Sequence, residues 1–130
     1  MRKIFLSDSP YTSKARFIAI LWTLLLFIGC LTPGKQIPHV SIPFIDKWTH
    51  FVLFGGFTFL WLCARPQRTT SWLTSLFLYS VALGTLIEVL QGTLTSLGRS
   101  MELMDGVADA IGGAMGIGLF CGLARVFGRE

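Results

Sequence analysis

Charge is what this chain has least of. Asp, Glu, Lys and Arg make up 14% of its 130 residues, against about a quarter in a soluble domain. With 52% hydrophobic residues and a mean hydropathy of +0.64, that shortage excludes an ordinary water-soluble fold. It predicts an integral membrane protein, and the length allows one compact domain. Cysteine is scarce too: Cys30, Cys63 and Cys121 show no CxxC or metal-ligand spacing, which argues against a thiolate metal centre. There is no low-complexity tract. The net charge of +4 does not gather into a basic patch, so nucleic acid is not an expected partner. Among the aromatic residues 11 are Phe, a composition suited to lipid-facing and packed helix surfaces.

What is present is four apolar runs. They cover Phe17 to Leu31, stopped by Thr32-Pro33-Gly34; Trp48 to Ala64, stopped by Arg65-Pro66; Trp72 to Leu90; and Val107 to Phe127. These sit near the short end of the roughly 17–25 residues that span a bilayer. The first is the shortest and borrows Lys14 to Arg16 as snorkelling flanks. With flanks included, the expected helices are about 16–32, 47–64, 71–91 and 105–127. The fold class is all-α: an integral membrane four-helix bundle, with residues 1–130 as a single transmembrane domain. Trp48 and Trp72 fall at span ends, where interfacial aromatics collect.

Lys and Arg set the orientation. Arg2, Lys3, Lys14, Arg16, Arg65, Arg68, Arg125 and Arg129 share the side of both termini, whereas Lys35, Lys47 and Arg99 lie opposite. By the positive-inside rule both termini are cytoplasmic. Cys30 then lies near the outer face, with Cys63 and Cys121 near the inner one, which argues against a disulfide framework. A rival reading treats the N-terminus as a secretion signal, with Phe27-Ile28-Gly29-Cys30 as a lipoprotein-type cleavage site. The long n-region and the bulky Ile28 argue against cleavage.

The few ionisable residues cluster. Asp46, Lys47 and His50 open the second run, Glu88 and Gln91 close the third, and Asp105 and Asp109 open the fourth. Helices that alternate in direction bring all three clusters to one face, here the periplasmic or exterior one. An acid near the bilayer centre costs about 2.5–3.5 kcal/mol on insertion scales and less at the interface, so a chain this poor in charge has a use for that layer. Residues three or four apart share a helix face, which pairs Asp46 with His50 and Glu88 with Gln91. The same spacing aligns Asp105, Asp109, Gly112 and Gly116 in one stripe. Gly112-x-x-x-Gly116 permits close helix approach, and Gly84 continues the Glu88 face, so the carboxylates on these stripes are expected to point into the bundle. Gly118-x-x-x-Gly122 offers a second close-packing face, for another subunit. Two loops face outward: residues 32–47, held extended by Pro33, Pro38 and Pro43, and residues 91–104, which contain Arg99 and Glu102. Either can close over the polar layer as a lid. A hint of internal repetition lies in Asp46/His50 before Gly55-Gly56 and Asp105/Asp109 before Gly112-Gly113.

Each residue also has a structural reading. Asp46 and Asp105 precede apolar helices, where an acid caps or complements the dipole. Lys47 suits an interfacial anchor, Arg99 suits pairing with Glu88 or Glu102, His50 suits a hydrogen-bonded interior imidazole, and His39 suits loop surface. Glu88 resists such a reading, because the dipole at a helix C-terminus disfavours an acid. It needs a partner: His50, Arg99 or a bound cation. Two functional readings stand beside these. In one, His50 with Glu88 and one of Asp46, Asp105 or Asp109 performs acid–base chemistry or binds a divalent metal such as zinc or manganese. In the other, Lys47, His50 and Arg99 hold a lipid phosphate or another anionic headgroup.

Asp46-Lys47-x-x-His50-Phe51, then Glu88-x-x-Gln91, then Arg99 followed by Asp105 and a glycine-rich last helix, resembles the VanZ-like family over about residues 40–120. Asp46, Lys47, His50, Glu88, Gln91, Arg99 and Asp105 match that family's pattern, whereas Asp109 stands where Asn is common. The resemblance implies a small bacterial membrane protein with a cell-envelope role, linked through the family's name to teicoplanin resistance, and implies no defined reaction. The expected protein is thus a multi-pass protein of the bacterial inner membrane whose outward polar site recognises or modifies an anionic envelope lipid or amphiphilic glycopeptide. His50, Glu88, Asp46 and Asp105 form the candidate reactive set, and Lys47, Gln91, Arg99 and Asp109 the candidate ligand-binding set. The alternatives are a non-catalytic assembly or partner subunit, in which the polar layer fixes helix register, and a small oligomeric transporter. Membrane lipid is the expected partner, with a homo-oligomer allowed.

The orientation gives a direct test. Green fluorescent protein fused to either terminus is expected to fluoresce and alkaline phosphatase fused there to be inactive; active phosphatase at either end reverses the assignment.

Overall fold

The computed structural model describes residues 2–6, 9–37 and 41–127. Pro38, His39 and Arg129 lie outside the described residues, so the loop-surface reading of His39 goes unplaced. Four helices account for most of the chain: α1 (Thr12–Leu31), α2 (Ile45–Ala64), α3 (Thr70–Thr93) and α4 (Leu103–Phe127). Short 3-10 turns occur at Arg2–Phe5, Gly34–Gln36 and Thr95–Leu97. No strand occurs among the described residues.

The helices begin and end where local chemistry dictates. Thr69 accepts the Trp72 backbone N–H and caps α3, while the Arg65 guanidinium stacks over the Trp72 ring and fixes the α2–α3 turn. Pro33 is extended and ends α1. The entry to α2 is less ordinary: Phe44 occupies the left-handed region at φ 58°, a strained conformation for a bulky residue. Neither Asp46 nor Asp105 is an N-cap, in contrast to the sequence reading. Phe44 holds that position in α2, and both acids sit inside the first turn, where only the dipole favours them.

By length and apolar composition α1, α3 and α4 can cross a membrane. The fourth expected span, α2, is not among them, because Asp46, Lys47 and His50 occupy its first two turns. Its position in the bundle explains how it tolerates them. It packs on α4 along much of its length, on α1 along one side and on α3 at a narrower seam. α1 turns an apolar face outward, with Phe17, Ile18, Leu21, Leu24, Leu25 and Ile28 exposed, as a lipid-facing helix should.

Backbone proximity holds α2 to α4. His50, Gly55 and Thr58 of α2 meet Asp109, Gly112 and Gly113 of α4 in the same chain order, so the two helices run parallel. A Cβ on Gly112 would collide with the Phe51 carbonyl, and one on Gly116 with the Gly55 carbonyl and the Thr58 hydroxyl. Thr58 Oγ1 donates to the Gly113 carbonyl at 2.9 Å, a hydrogen bond across the contact. Gly56 makes room for the Trp22 ring, whose Nε1 donates to the Leu53 carbonyl at 2.8 Å and locks α1 onto α2. The expected second glycine face is bare: a Cβ on Gly118 or Gly122 meets nothing within 4 Å.

Alanine at Gly112 or Gly116 is therefore expected to destabilise the bundle by about 1–3 kcal/mol, the usual range for forced overpacking. Alanine at Gly118 or Gly122 is expected to leave it unchanged. Thermal unfolding of the four variants in detergent reads the difference, and equal melting temperatures would refute the close-contact account.

Candidate functional site

The parallel contact places the first turns of α2 and α4 side by side, and the last turns of the antiparallel α1 and α3 close the ring around them. All three sequence clusters converge at this end. His50 is 1% exposed, Glu88 3%, Gln91 1%, and Asp105 and Asp109 1% each. Each such group needs a partner, because burying an unpaired charge is far costlier than leaving it in water.

Most have one. His50 Nδ1 lies 2.9 Å from Asp109 Oδ1, and since a carboxylate only accepts, Nδ1–H donates there, while Nε2 makes no hydrogen bond. Asp109 fits there because Gly84 has no side chain; a Cβ at Gly84 would stand 2.6 Å from Asp109 Oδ2. Lys47 Nζ bridges Glu102 Oε2 at 2.6 Å and Asp105 Oδ1 at 3.0 Å. Arg99 Nη2 pairs with Asp46 Oδ1 at 2.8 Å, not with Glu88 or Glu102 as the sequence suggested. The reason is that the chain turns away after Leu97, through Gly98 at φ 58°, and swings Arg99 toward α2.

Glu88 resolves differently from any partner expected. Its Oε2 accepts the backbone N–H of Glu102 at 2.9 Å, the residue just before α4. Glu88 therefore sits at the positive N-terminal end of α4, which offsets the unfavourable C-terminal end of its own helix. His50 Nδ1 is 3.9 Å from Glu88 Oε1, too far for a hydrogen bond. Gln91 Nε2 donates to the Cys30 carbonyl at 2.6 Å, satisfying one of the orphan carbonyls in the last turn of α1. The α3–α4 loop does fold over the layer, through Arg99 and Glu102. It touches the α1–α2 loop where a Cβ on Gly34 would stand 3.2 Å from the Gly98 carbonyl.

Four buried polar atoms of the cluster have no hydrogen-bond partner: His50 Nε2, Glu88 Oε1, Gln91 Oε1 and Asp109 Oδ2. Beside them opens a cleft of about 480 Å³, walled by the end of α1, the first loop and the start of α2, with Asp46, Thr49, His50 and Arg99 on its lining. On the outer side of α2 an apolar groove of about 470 Å³ runs from Lys47 past Phe44, Trp48 and Phe51 to Met104, Val107 and Ile111 of α4. Two triplets of donors lie within 4.8 Å of one another and have the composition of metal ligands: Asp46, His50 and Asp105, and His50, Glu88 and Asp109. An imidazole with one nitrogen fixed by a carboxylate and the other free can act as a base or a ligand.

Sequence spacing missed two participants. Glu102 was legible as a neighbour of Arg99, but its partner Lys47 is 55 residues away. The Cys30 carbonyl is a main-chain atom and leaves no side-chain signal.

The two ion pairs differ in burial, and that difference is measurable. Lys47→Met strands Asp105, whose side chain is 2% exposed, and is expected to cost about 3 kcal/mol as a broken buried pair. Arg99→Gln strands Asp46, whose side chain is 41% exposed, and is expected to cost about 1 kcal/mol or less. Denaturant unfolding of both variants in detergent checks the order, and a reversal would mean that the network is built around Asp46.

No curated protein and no solved structure matches the chain. The sequence model of the VanZ/LLP1 family, however, matches residues 4–126, nearly all of the helical bundle and every residue of the polar layer. The chain belongs to the VanZ/LLP1 family.

Proposed function

We propose that this protein works in the bacterial cytoplasmic membrane with its polar layer facing outward, where it recognises or modifies an anionic envelope lipid or an amphiphilic glycopeptide. The observation that carries the reading is His50: Nδ1 held by Asp109, Nε2 buried and unpartnered, and the ring on the wall of an open cleft. A purely structural histidine would use both nitrogens. Arg99 lines the same cleft and supplies a forked donor suited to phosphate or carboxylate. The apolar groove beginning at Lys47 suits an acyl chain, so headgroup and tail sites lie on either side of α2. Family membership favours an envelope role connected with glycopeptide resistance.

A second reading has its own support. Lys47 and Arg99 are both engaged by acids of the protein itself, as expected if the layer only fixes helix register in a non-catalytic assembly subunit.

Native mass spectrometry of the detergent-purified protein with phosphatidylglycerol and phosphatidylcholine separates the two. Preferential retention of the anionic lipid is expected. Arg99→Gln is expected to weaken it roughly tenfold, the equivalent of about 1.4 kcal/mol, and added salt to weaken it further. Equal retention of both lipids by the folded protein, unchanged in Arg99→Gln, would favour the register reading.

A further inference from the structure

The polar layer holds five carboxyl groups (Asp46, Glu88, Glu102, Asp105 and Asp109) against two permanent cations, Lys47 and Arg99. Such a cluster repels an anionic headgroup unless something positive offsets it. Two of the acids lie close to the imidazole: Asp105 Oδ2 is 4.0 Å from His50 Nε2, and Asp46, His50 and Asp105 offer a triplet of donor atoms within 4.8 Å of one another.

We propose that His50 Nε2, Asp105 and Asp46 bind one divalent cation of the zinc or manganese class, with its open positions on the cleft. The independent sign is His50 Nε2 itself, a buried nitrogen with no hydrogen-bond partner that faces Asp105 Oδ2 at 4.0 Å. One imidazole with two carboxylates is a ligand set for Zn²⁺ or Mn²⁺. Tetrahedral donors with ligand bonds of about 2.0–2.2 Å lie roughly 3.4 Å apart, so the triplet, whose atoms lie within 4.8 Å of one another, closes on an ion by inward side-chain movements of about 1 Å.

The outer partners support the same assignment. A ligating histidine almost always gives its other N–H to a carboxylate, which fixes the tautomer and aims the ring. Asp109 does this to His50 at 2.9 Å. Lys47 holds Asp105 by Oδ1 and leaves Oδ2 toward the imidazole. Arg99 holds Asp46 by Oδ1 in the same manner. Each member of the triplet thus has one atom anchored from behind. The other triplet, His50 with Glu88 and Asp109, is a poorer site. Its Nδ1 is already occupied by Asp109, and all three residues are buried away from solvent. The rival occupant of the Asp46–Asp105 pair is a proton shared between the two carboxyls.

A cation here would meet an anionic oxygen entering the cleft beside Arg99. That bridging role rests on the headgroup reading above, whereas the cation site rests only on the geometry of the triplet.

The test uses the whole protein in lipid-free detergent, stripped with chelator and titrated with Zn²⁺ or Mn²⁺ alone. One tightly held ion per chain is expected by native mass spectrometry. Asp105→Asn is expected to abolish it, and Asp109→Asn, which acts through His50 as a positioning residue, to weaken it 10–100-fold. Because either variant can fail to fold, the wild-type protein loaded with Mn²⁺ is examined by pulsed electron paramagnetic resonance, where ¹⁴N modulation from a bound imidazole is expected. Absence of a stoichiometric ion, or an ion without ¹⁴N modulation, overturns the proposal. Retention of anionic lipid by the chelated protein, measured separately, shows whether the headgroup reading stands without the metal.

Discussion

The parallel contact between α2 and α4 is the constraint on which the remainder of the bundle depends. Gly112 and Gly116 let the α4 backbone lie against the carbonyls of Phe51 and Gly55, and no larger residue fits at that separation. Close approach at the glycines fixes the relative height of the two helices, and height decides which polar groups meet one turn further out. At this register His50 reaches Asp109, and Lys47 reaches Asp105 and Glu102. A shift of one turn, about 5.4 Å, would separate every one of these pairs and leave His50, Asp105 and Asp109 buried without these partners. Glycine packing and polar pairing therefore enforce the same register.

Electrostatics then explain why α1 and α3 close the ring as they do. Both present C-terminal turns to the layer, whose free carbonyls and negative dipole ends would add to an acidic cluster. Gln91 from α3 takes up one such carbonyl in α1, and Glu88 is turned to the N-terminal end of α4. The positive ends of α2 and α4 thus lie side by side at the site, flanked by the negative ends of α1 and α3. Two positive helix ends at one place help several carboxylates share a space that composition alone would call untenable.

Much of this was legible in the sequence, and the part that was not has physical reasons. Four apolar runs with alternating direction suffice to predict an all-helical bundle with Asp46, His50, Glu88, Asp105 and Asp109 at one end. The Gly112-x-x-x-Gly116 and Gly84 stripes foretell which faces turn inward. Specific partners were not legible, because spacing reports helix faces and says nothing of rotation between helices. Arg99 illustrates the point: its neighbours in sequence suggested Glu88 or Glu102, and a left-handed glycine redirected it to Asp46. Glu88 illustrates another, since its partner is a main-chain N–H at the start of a different helix. The apolarity of α2 was read as sufficient for a span, yet its polar first turns make it the exception among the four helices.

That exception bears on how the chain is made. α2 depends on α4 to shield its imidazole and to pair Lys47 with Asp105, yet α4 follows it in the chain with α3 between them. The Trp22–Leu53 hydrogen bond joins α2 to α1 without α4, but His50 and Lys47 then lack Asp109 and Asp105. The His50–Asp109 and Lys47–Asp105 contacts therefore form only when α4 docks, whereas the Arg99–Asp46 pair and the cleft lining use no residue of α4.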